Sequence, residues 1–426
     1  MEISKLHQLF LSSQGVSTDT RSIETGQIYF ALKGPSFDGN EYCQAALEKG
    51  ASYCIIDDSK AEIDDRTILV NDTLDTLHSL AVYHRKSLNI PLIALTGSNG
   101  KTTTKELIVS ALKQKFQVAY TKGNLNNHIG VPLSLLSIGQ EDEIAVIEMG
   151  ANAQKEIAFL SSLALPDIGL ITNYGKAHLE GFGGLEGVIR GKSELYDHLR
   201  KHKKKALVNL GDTVQMEKSK DVSQISFGQK EQADFIIEEQ KSDSDFISVK
   251  FSGQIIHSQL TGKYNFNNIA IAISLASYYK LSPAEIKKGI ESYQPSNNRS
   301  QLDEGSHNKL LRDYYNANPS SMQASLENFA DLQSAEHPKW VILADMFELG
   351  EYSEEEHQKI AESAANYQFE KVLLVGQAFM QTESRGQRFA TTEDLLSYLK
   401  ELEVKGKIIL IKGSRGMALE KAAELL

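Results

Sequence analysis

The 426-residue chain carries 45 Lys and Arg against 56 Asp and Glu, a formal net charge of −11, with 41% hydrophobic and 24% charged residues. That length exceeds one ordinary core and predicts about three domains, while the acidic balance excludes a general nucleic-acid binder, which needs a basic face against phosphates. No apolar run reaches the roughly 18 residues that cross a bilayer, the N-terminus Met1-Glu2-Ile3-Ser4-Lys5 has no signal pattern, and Cys43 and Cys54 form no disulfide or metal motif, so a cytoplasmic protein without membrane insertion is expected.

To about residue 85 the chain alternates short strand-like runs with turns, as in Ile28-Tyr29-Phe30-Ala31-Leu32 before Lys33-Gly34-Pro35. It closes with a helix from Thr73 to Lys86 whose Leu74, Leu77, Leu80 and Ala81 share one face. From Ile90 apolar strands alternate with amphipathic helices, the pattern of βαβ units and a largely parallel sheet. The strand candidates are Leu92 to Leu95, Ile144 to Ile147, Ile168 to Thr172 and Ala206 to Val208. The basic run from Arg200 to Lys205 reads as a solvated helix end favoured by the helix dipole. Between about Ser223 and Gln259, period-two runs such as Phe246 to Phe251 predict an antiparallel annex. A linker at Gln294-Pro295-Ser296-Asn297-Asn298 precedes a second α/β series with strands at Trp340 to Ala344, Val372 to Val375 and Ile408 to Ile411. There Ser353-Glu354-Glu355-Glu356 predicts a helix start of capping-box type.

The chemistry concentrates where Ile93-Ala94-Leu95 runs into Thr96-Gly97-Ser98-Asn99-Gly100-Lys101-Thr102-Thr103-Thr104. A strand, a glycine loop and a helix in succession reads as a phosphate cradle, with a loop that merely turns the chain as the competing reading: glycines let backbone N–H groups converge on phosphate oxygens at a helix N-terminus. Lys101 is expected at the β- and γ-phosphates and Thr102 on Mg²⁺. Leu95 stands where the generic pattern has its first glycine, so the loop is a shorter variant. The Asn-Lys-x-Asp signature of guanine-specific switches is absent, but the loop by itself does not choose among kinase, motor, switch and ligase. Glu148 ends an apolar strand and suits Mg²⁺ beside the loop, although a strand-end acid facing water fits the segment too. His178, in Asn173-Tyr174-Gly175-Lys176-Ala177-His178, falls at the carboxyl edge of the sheet, where ligands bind; a lone histidine is more often structural.

In order along the chain, the short loop with its extra threonines, the Glu148 strand, the His178 loop and Gly191-Lys192-Ser193-Glu194 resemble the Mur ligases, which extend the UDP-linked precursor of bacterial peptidoglycan. Four further stretches are similar to the branch that adds D-alanyl-D-alanine to UDP-N-acetylmuramoyl-tripeptide: Ser17 to Arg21 with Phe30 to Gly34, Asp313 to Met322, Leu343 to Gly350, and Lys412 to Met417. The resemblance implies an α/β protein of three domains. These are a small N-terminal α/β domain for the UDP-sugar peptide (1–86), a central ATPase with a P-loop and parallel sheet (87–298), and a C-terminal Rossmann-like domain (299–426).

The same resemblance implies the site. Gly97, Ser98, Asn99, Gly100, Lys101, Thr102 and Thr103 would hold ATP, with Asn268 at the adenine and Arg299 and Asp313 reaching the nucleotide from the C-terminal side. Thr102 and Glu148 would hold one Mg²⁺, and His178 with a carbamylated Lys192 a second, since an unmodified lysine would repel a cation. Lys101, Lys192 and His178 are thereby the catalytic candidates, although Lys192 also reads as an ordinary solvated lysine. Asp19, Thr20 and Arg21 would meet the UDP-sugar peptide; an Asp19–Arg21 surface ion pair is the competing reading. Asn316, Asn318 and Ser320, turn formers by composition, would serve the dipeptide. Asp345 and Glu348 read as strand-end acids and weaker candidates. Tyr264 stands where histidine is common in the family. The implied reaction is amide ligation through an acyl phosphate, by a monomer. Another Mur-type or folylpolyglutamate-type ligase, or a nucleotide switch without ligation, is the alternative.

Overall fold

The computed structural model describes residues 1–241, 244–296, 298–305, 307–333 and 337–426, so Asn297 of the expected linker lies outside the described residues. Four short parallel strands open the chain, Val16–Ser17, Ile28–Phe30, Tyr53–Ile56 and Thr67–Leu69, paired in that order. Helix Cys43–Glu48 buries Cys43, Ala46 and Leu47 on one face with Tyr29 and Cys54. Helices Ile3–Leu11 and Thr73–Ser87 cover the other face. The second of these is capped by Asp72, whose carboxylate accepts from the Asp75 N–H at 2.7 Å. It also ties this unit to the next: Arg85 donates to the Ala164 carbonyl at 3.1 Å and to Asp167 at 2.9 Å.

The central sheet has seven parallel strands in the order Phe235–Ile236, Ser223–Gly228, Lys205–Asn209, Ile168–Ile171, Leu92–Thr96, Ile144–Glu148 and Val118–Tyr120. Helices cover both faces, so the inner strands are dry on each side and read as unbroken apolar runs. Helices Lys101–Leu112 and Asn265–Tyr278 pack against one face; the stretch from Ile269 to Ala276 is buried all round. Helices Gly130–Leu136, Glu156–Ala164 and Leu185–Lys201 cover the other. The four expected strands form, with ends differing by a residue or so. After Leu92–Thr96 the chain first builds Val118–Tyr120 and Ile144–Glu148 on one side and then crosses to Ile168–Ile171 on the other, and in an open parallel sheet such a switch point leaves a crevice at the strand ends.

Two expectations change here. Ser223–Gly228 and Phe235–Ile236 extend the parallel sheet, and the antiparallel annex is confined to Glu238–Gln240, Phe246–Phe251 and Gln254–Thr261. Ile225 to Gly228 are all buried, as in a strand packed on both faces, although small polar and apolar residues alternate there. The basic run is also divided: the helix ends at Lys201, Lys204 pairs with Asp167 at 2.7 Å, and Lys205 begins the next strand.

The last sheet runs Gln301–Glu304, Lys309–Arg312, Ile408–Lys412, Lys339–Ala344, Lys371–Val375 and Gln387–Phe389, antiparallel at its first pair and parallel thereafter. Helix Ser353–Asn366 begins with the expected acids, but Ser353 makes no cap. A 3-10 turn, Gly350–Tyr352, delivers the chain with Ser353 already helical, whereas a capping residue needs extended backbone. Its carbonyl instead accepts from His357 Nδ1 at 2.7 Å.

Candidate active site

The glycine loop leaves the strand Leu92–Thr96 buried between Ile168–Ile171 and Ile144–Glu148. Gly97 has φ +149, and a Cβ there would lie 1.9 Å from Thr172 Oγ1; Gly100 has φ +76, and a Cβ there would meet the Asn268 amide at 2.8 Å. Both positions therefore require glycine, one for packing on the neighbouring strand and one for the left-handed turn into the helix. The loop is braced from behind. Thr172 Oγ1 donates to the Asn99 carbonyl at 2.6 Å, the Asn99 N–H donates to Asn173 Oδ1 at 3.0 Å, and Ser98 Oγ donates to the Gly175 carbonyl at 2.8 Å. Lys101 turns back over this loop, its Nζ donating to the Gly97 carbonyl at 2.7 Å. Burial lowers its pKa, opposed by Glu148 and reinforced by Arg299.

Glu148, 2% exposed, accepts from Thr102 Oγ1 at 3.0 Å and from Asn126 Nδ2 at 2.8 Å, while its own N–H donates to Thr121 Oγ1 at 3.0 Å. The expected Mg²⁺ pair is thus assembled. Among the described residues no cluster of three His, Cys, Asp or Glu forms. A hydroxyl and one carboxylate beside a phosphate loop nonetheless suit Mg²⁺, which takes one or two protein oxygens and completes its shell with phosphates and water.

A cavity of about 770 Å³ is lined by the loop, Glu148, His178, Asn268, Arg299, Asp313, Asn316, Asn318 and Ser320 together. Asn268 accepts from Thr104 Oγ1 at 3.0 Å and donates to Asn265 at 2.7 Å. The Arg299 guanidinium lies 3.7 Å over the Tyr315 ring, with Arg415 5.5 Å from the same ring. Asp313 binds Lys412 Nζ at 2.6 Å and Ser325 Oγ at 2.6 Å and accepts from the Ser300 N–H at 3.1 Å. Tyr264, whose hydroxyl meets Ser300 Oγ at 2.8 Å, has its pKa raised chiefly by burial.

The C-terminal loop touches the phosphate loop directly. Asn318 Nδ2 donates to Asn99 Oδ1 at 2.7 Å, and Ser320 Oγ accepts from the Lys176 N–H at 2.8 Å. Asn318 also caps helix Pro319–Asp331, while Asn316 accepts from the Ala317 N–H at 2.9 Å. The cap realises the turn that the sequence predicts, and all three residues line the cavity.

Lys192, Asp19, Thr20, Arg21, Asp345 and Glu348 stand outside that lining. Lys192 is 0% exposed and sits behind its wall, its Nζ donating to the Ala151 carbonyl at 3.1 Å and lying 5.0 Å over the Phe182 ring. This is not the ordinary solvated lysine of the competing reading. Burial first, then Lys101, pushes its pKa well down. Asp19, Thr20 and Arg21 lie on the N-terminal unit. Arg21, 88% exposed, forks onto Asp19 at 2.7 Å and holds that carboxylate at a pKa of about 2, and the Thr20 carbonyl accepts from Lys49 at 2.8 Å. Asp345 serves structure: its carboxylate accepts the Ala378 and Phe379 N–H groups at 3.0 Å each. Glu348 reaches His178 Nδ1.

Sequence reasoning passed over Asn126 and Lys412 as site residues. Asn124-Leu125-Asn126-Asn127 carries only a turn signal, and Lys412 ends an apolar strand, with nothing local to announce Asp313 opposite.

Comparisons with known proteins agree with this geometry. Residues 95–276 match the Mur ligase middle domain, and residues 298–415 match the Mur ligase glutamate ligase domain. The UDP-N-acetylmuramoyl-tripeptide–D-alanyl-D-alanine ligase of Bacillus subtilis is 33% identical over 423 residues, covering 96% of this chain and 92% of that one. A crystal structure of MurF from Acinetobacter baumannii superposes with a TM-score of 0.86 at 30% identity, covering 98% of this chain and 97% of that one. The MurF ligase of Thermotoga maritima in complex with ADP does so at 0.84 and 27% identity, with the same coverage of both chains.

Proposed function

The chain belongs to the Mur ligase family, and we propose that it joins D-alanyl-D-alanine to UDP-N-acetylmuramoyl-tripeptide at the expense of ATP, a step in making the peptidoglycan precursor. The observation that carries this reading is the contact of Asn318 with Asn99: the segment similar to dipeptide-adding ligases stands on the phosphate loop itself.

Amide formation from a carboxylate and an amine is uphill in water, so the carboxylate must first be activated. A carboxylate oxygen of the tripeptide attacks the γ-phosphorus, the bond to the β–γ bridging oxygen breaks, and its electron pair leaves with ADP. The amine of the dipeptide then attacks the acyl carbon, the C–O bond to phosphate breaks, and the amine nitrogen gives up a proton. Both steps gather anions. Lys101 and the N–H groups at the start of helix Lys101–Leu112 supply positive charge at the γ-phosphate, and Thr102 with Glu148 would hold a Mg²⁺ there. When bound, the cation adds charge to offset the crowded phosphate oxygens. Asn268 lies beside the loop to take the adenine side, Arg299 and Asp313 to close the nucleotide from the other domain, and Asn316, Asn318 and Ser320 to hold the dipeptide. Water must be kept from the acyl phosphate, and the interdomain contacts at Asn99 and Lys176 do that by closing the cavity.

Lys192 fits carbamylation. Its Nζ meets the Ala151 carbonyl, and burial lowers its pKa, which favours the neutral amine. A neutral amine adds to CO₂, forming an N–C bond and releasing a proton, and the product is an anion. With His178 it would serve a second Mg²⁺. Asp19, Thr20 and Arg21 are proposed for the UDP-sugar peptide, with domains at 1–86, 87–298 and 299–426. A monomer is proposed, and free buried Cys43 and Cys54 suit the cytoplasm. No helix among the described residues is long and apolar enough to cross a membrane.

Amine-dependent phosphate release tests the assignment. With UDP-tripeptide and ATP, release is expected on adding D-alanyl-D-alanine and not single amino acids; the opposite response places the chain elsewhere in the family. Running UDP-tripeptides ending in diaminopimelate and in lysine side by side identifies the natural acceptor.

A further inference from the structure

His178 and Glu348 come from different sheets yet meet beside the cavity that His178 lines. His178 follows the strand Ile168–Ile171 and Glu348 follows Lys339–Ala344, and both have left-handed backbones, φ +53 and +62. Non-glycine residues hold that conformation at a cost, and such residues gather where surroundings enforce a particular placement. The enforcement is visible. The Glu180 N–H donates to the Glu348 carbonyl at 3.3 Å, and on the same loop Lys176 Nζ pairs with Glu356 at 2.6 Å. The Glu348 carboxylate faces His178 Nδ1, so a residue of the last sheet meets a residue of the central one directly.

A carboxylate can only accept, so the proton of a neutral imidazole must sit on Nδ1. Nε2 is then the nitrogen with a lone pair, on a ring that lines the cavity. We propose that Glu348 is a positioning residue, delivered by the C-terminal domain, that fixes His178 in the Nδ1–H form and so presents Nε2 to the cation or acyl phosphate only when the domains are closed. The strand-end acid of the sequence reading thereby links closure to chemistry. The kinetic half of this inference rests on the ligase reading; the tautomer does not.

The test uses the full chain with ¹⁵N-labelled histidine, Mg²⁺ and a non-hydrolysable ATP analogue, with His178 assigned through His178→Gln. The ¹⁵N shifts of wild-type His178 are expected to be those of the Nδ1–H form. Glu348→Ala should move them toward Nε2–H. Glu356→Gln, which loosens the same interface without touching the ring, should leave them in place. In turnover, Glu348→Ala should lower kcat by about 10- to 100-fold, as loss of a ligand-orienting carboxylate typically does, with KM for ATP and dipeptide little changed and partial recovery in Glu348→Asp. The double variant with His178→Gln should lose no more than His178→Gln alone, because the two act as a unit. An unchanged tautomer in Glu348→Ala, or losses that multiply in the double variant, overturns the proposal. A wild-type enzyme that never responds to the dipeptide overturns the ligase reading instead, while the tautomer measurement still decides the Glu348–His178 pair.

Discussion

The phosphate loop and the Asn316–Ser320 loop line one cavity but come to it by different routes. The first is built by its own neighbours in sequence: a strand aims it, glycines at 97 and 100 turn it, and the helix from Lys101 anchors it. The second has a well-formed cap of its own at Asn318 but reaches its site only by docking on Asn99 and Lys176 across a domain boundary. The first loop owes its shape to adjacent residues, and the second owes its place to contacts between separate elements.

The comparison makes ranked predictions. Lys101→Ala should reduce ligation the most, by about a thousand-fold, on the scale of losing one preorganised oxyanion donor, with little change in melting temperature because the side chain serves the loop and not the core. Turnover within a few-fold of wild type would remove the loop from the chemistry. Lys192→Ala should lose activity nearly as far, and a short-chain carboxylate such as formate should restore part of it by standing in for the carbamate. If no added acid restores turnover in a folded variant, carbamylation lacks support. For Asn318→Ala, loss of the cap is expected to cost about 1 kcal/mol of stability, together with a several-fold drop in kcat/KM for the dipeptide. A thermal shift with unchanged kinetics would leave Asn318 a cap and nothing more.

Arg21→Ala separates two readings of the N-terminal unit. Its pair with Asp19 is exposed, so melting should shift little, whereas KM for the UDP-tripeptide should rise; an unchanged KM returns Asp19 to Arg21 to an ordinary surface. The smallest effect expected is on acid stability. Burial first lowers the pKa of His7 and His84, and likewise holds His198 at about 4. The unfolded chain then binds more protons than the folded one below about pH 6.5, so stability should fall as pH drops from there toward 4. A melting temperature flat across that window would contradict neutral burial of these rings, among them the His7–His84 pair at 3.1 Å.

Much of the molecule was legible in the sequence wherever a signal lay within one element and its neighbours. The strands Leu92–Thr96 and Ile144–Glu148 announced a dry parallel sheet by unbroken apolar runs, Gly97 to Thr102 announced phosphate, and their order with His178 and Lys192 carried the family resemblance. A strand-like run was legible at Ser223–Gly228 but not its sheet, because nothing within the segment names Lys205–Asn209 as the strand it pairs with. Likewise the acids after Ser353 marked a helix, while the 3-10 turn before it, not the residue type, decided that Ser353 would make no cap.

What only the tertiary structure decided are the pairings between distant residues. Asn126 on Glu148, Lys412 on Asp313, Asn318 on Asn99 and Glu348 on His178 are each formed from two separate elements. A backbone turn or an apolar run leaves its mark in a few consecutive residues, because local sterics and hydration create it. A hydrogen bond between residues far apart leaves none, because its geometry exists only after sheets and domains have packed. Lys192 makes the same point: its sequence is that of any helix lysine, and only its complete burial in the packed structure pushes its pKa down.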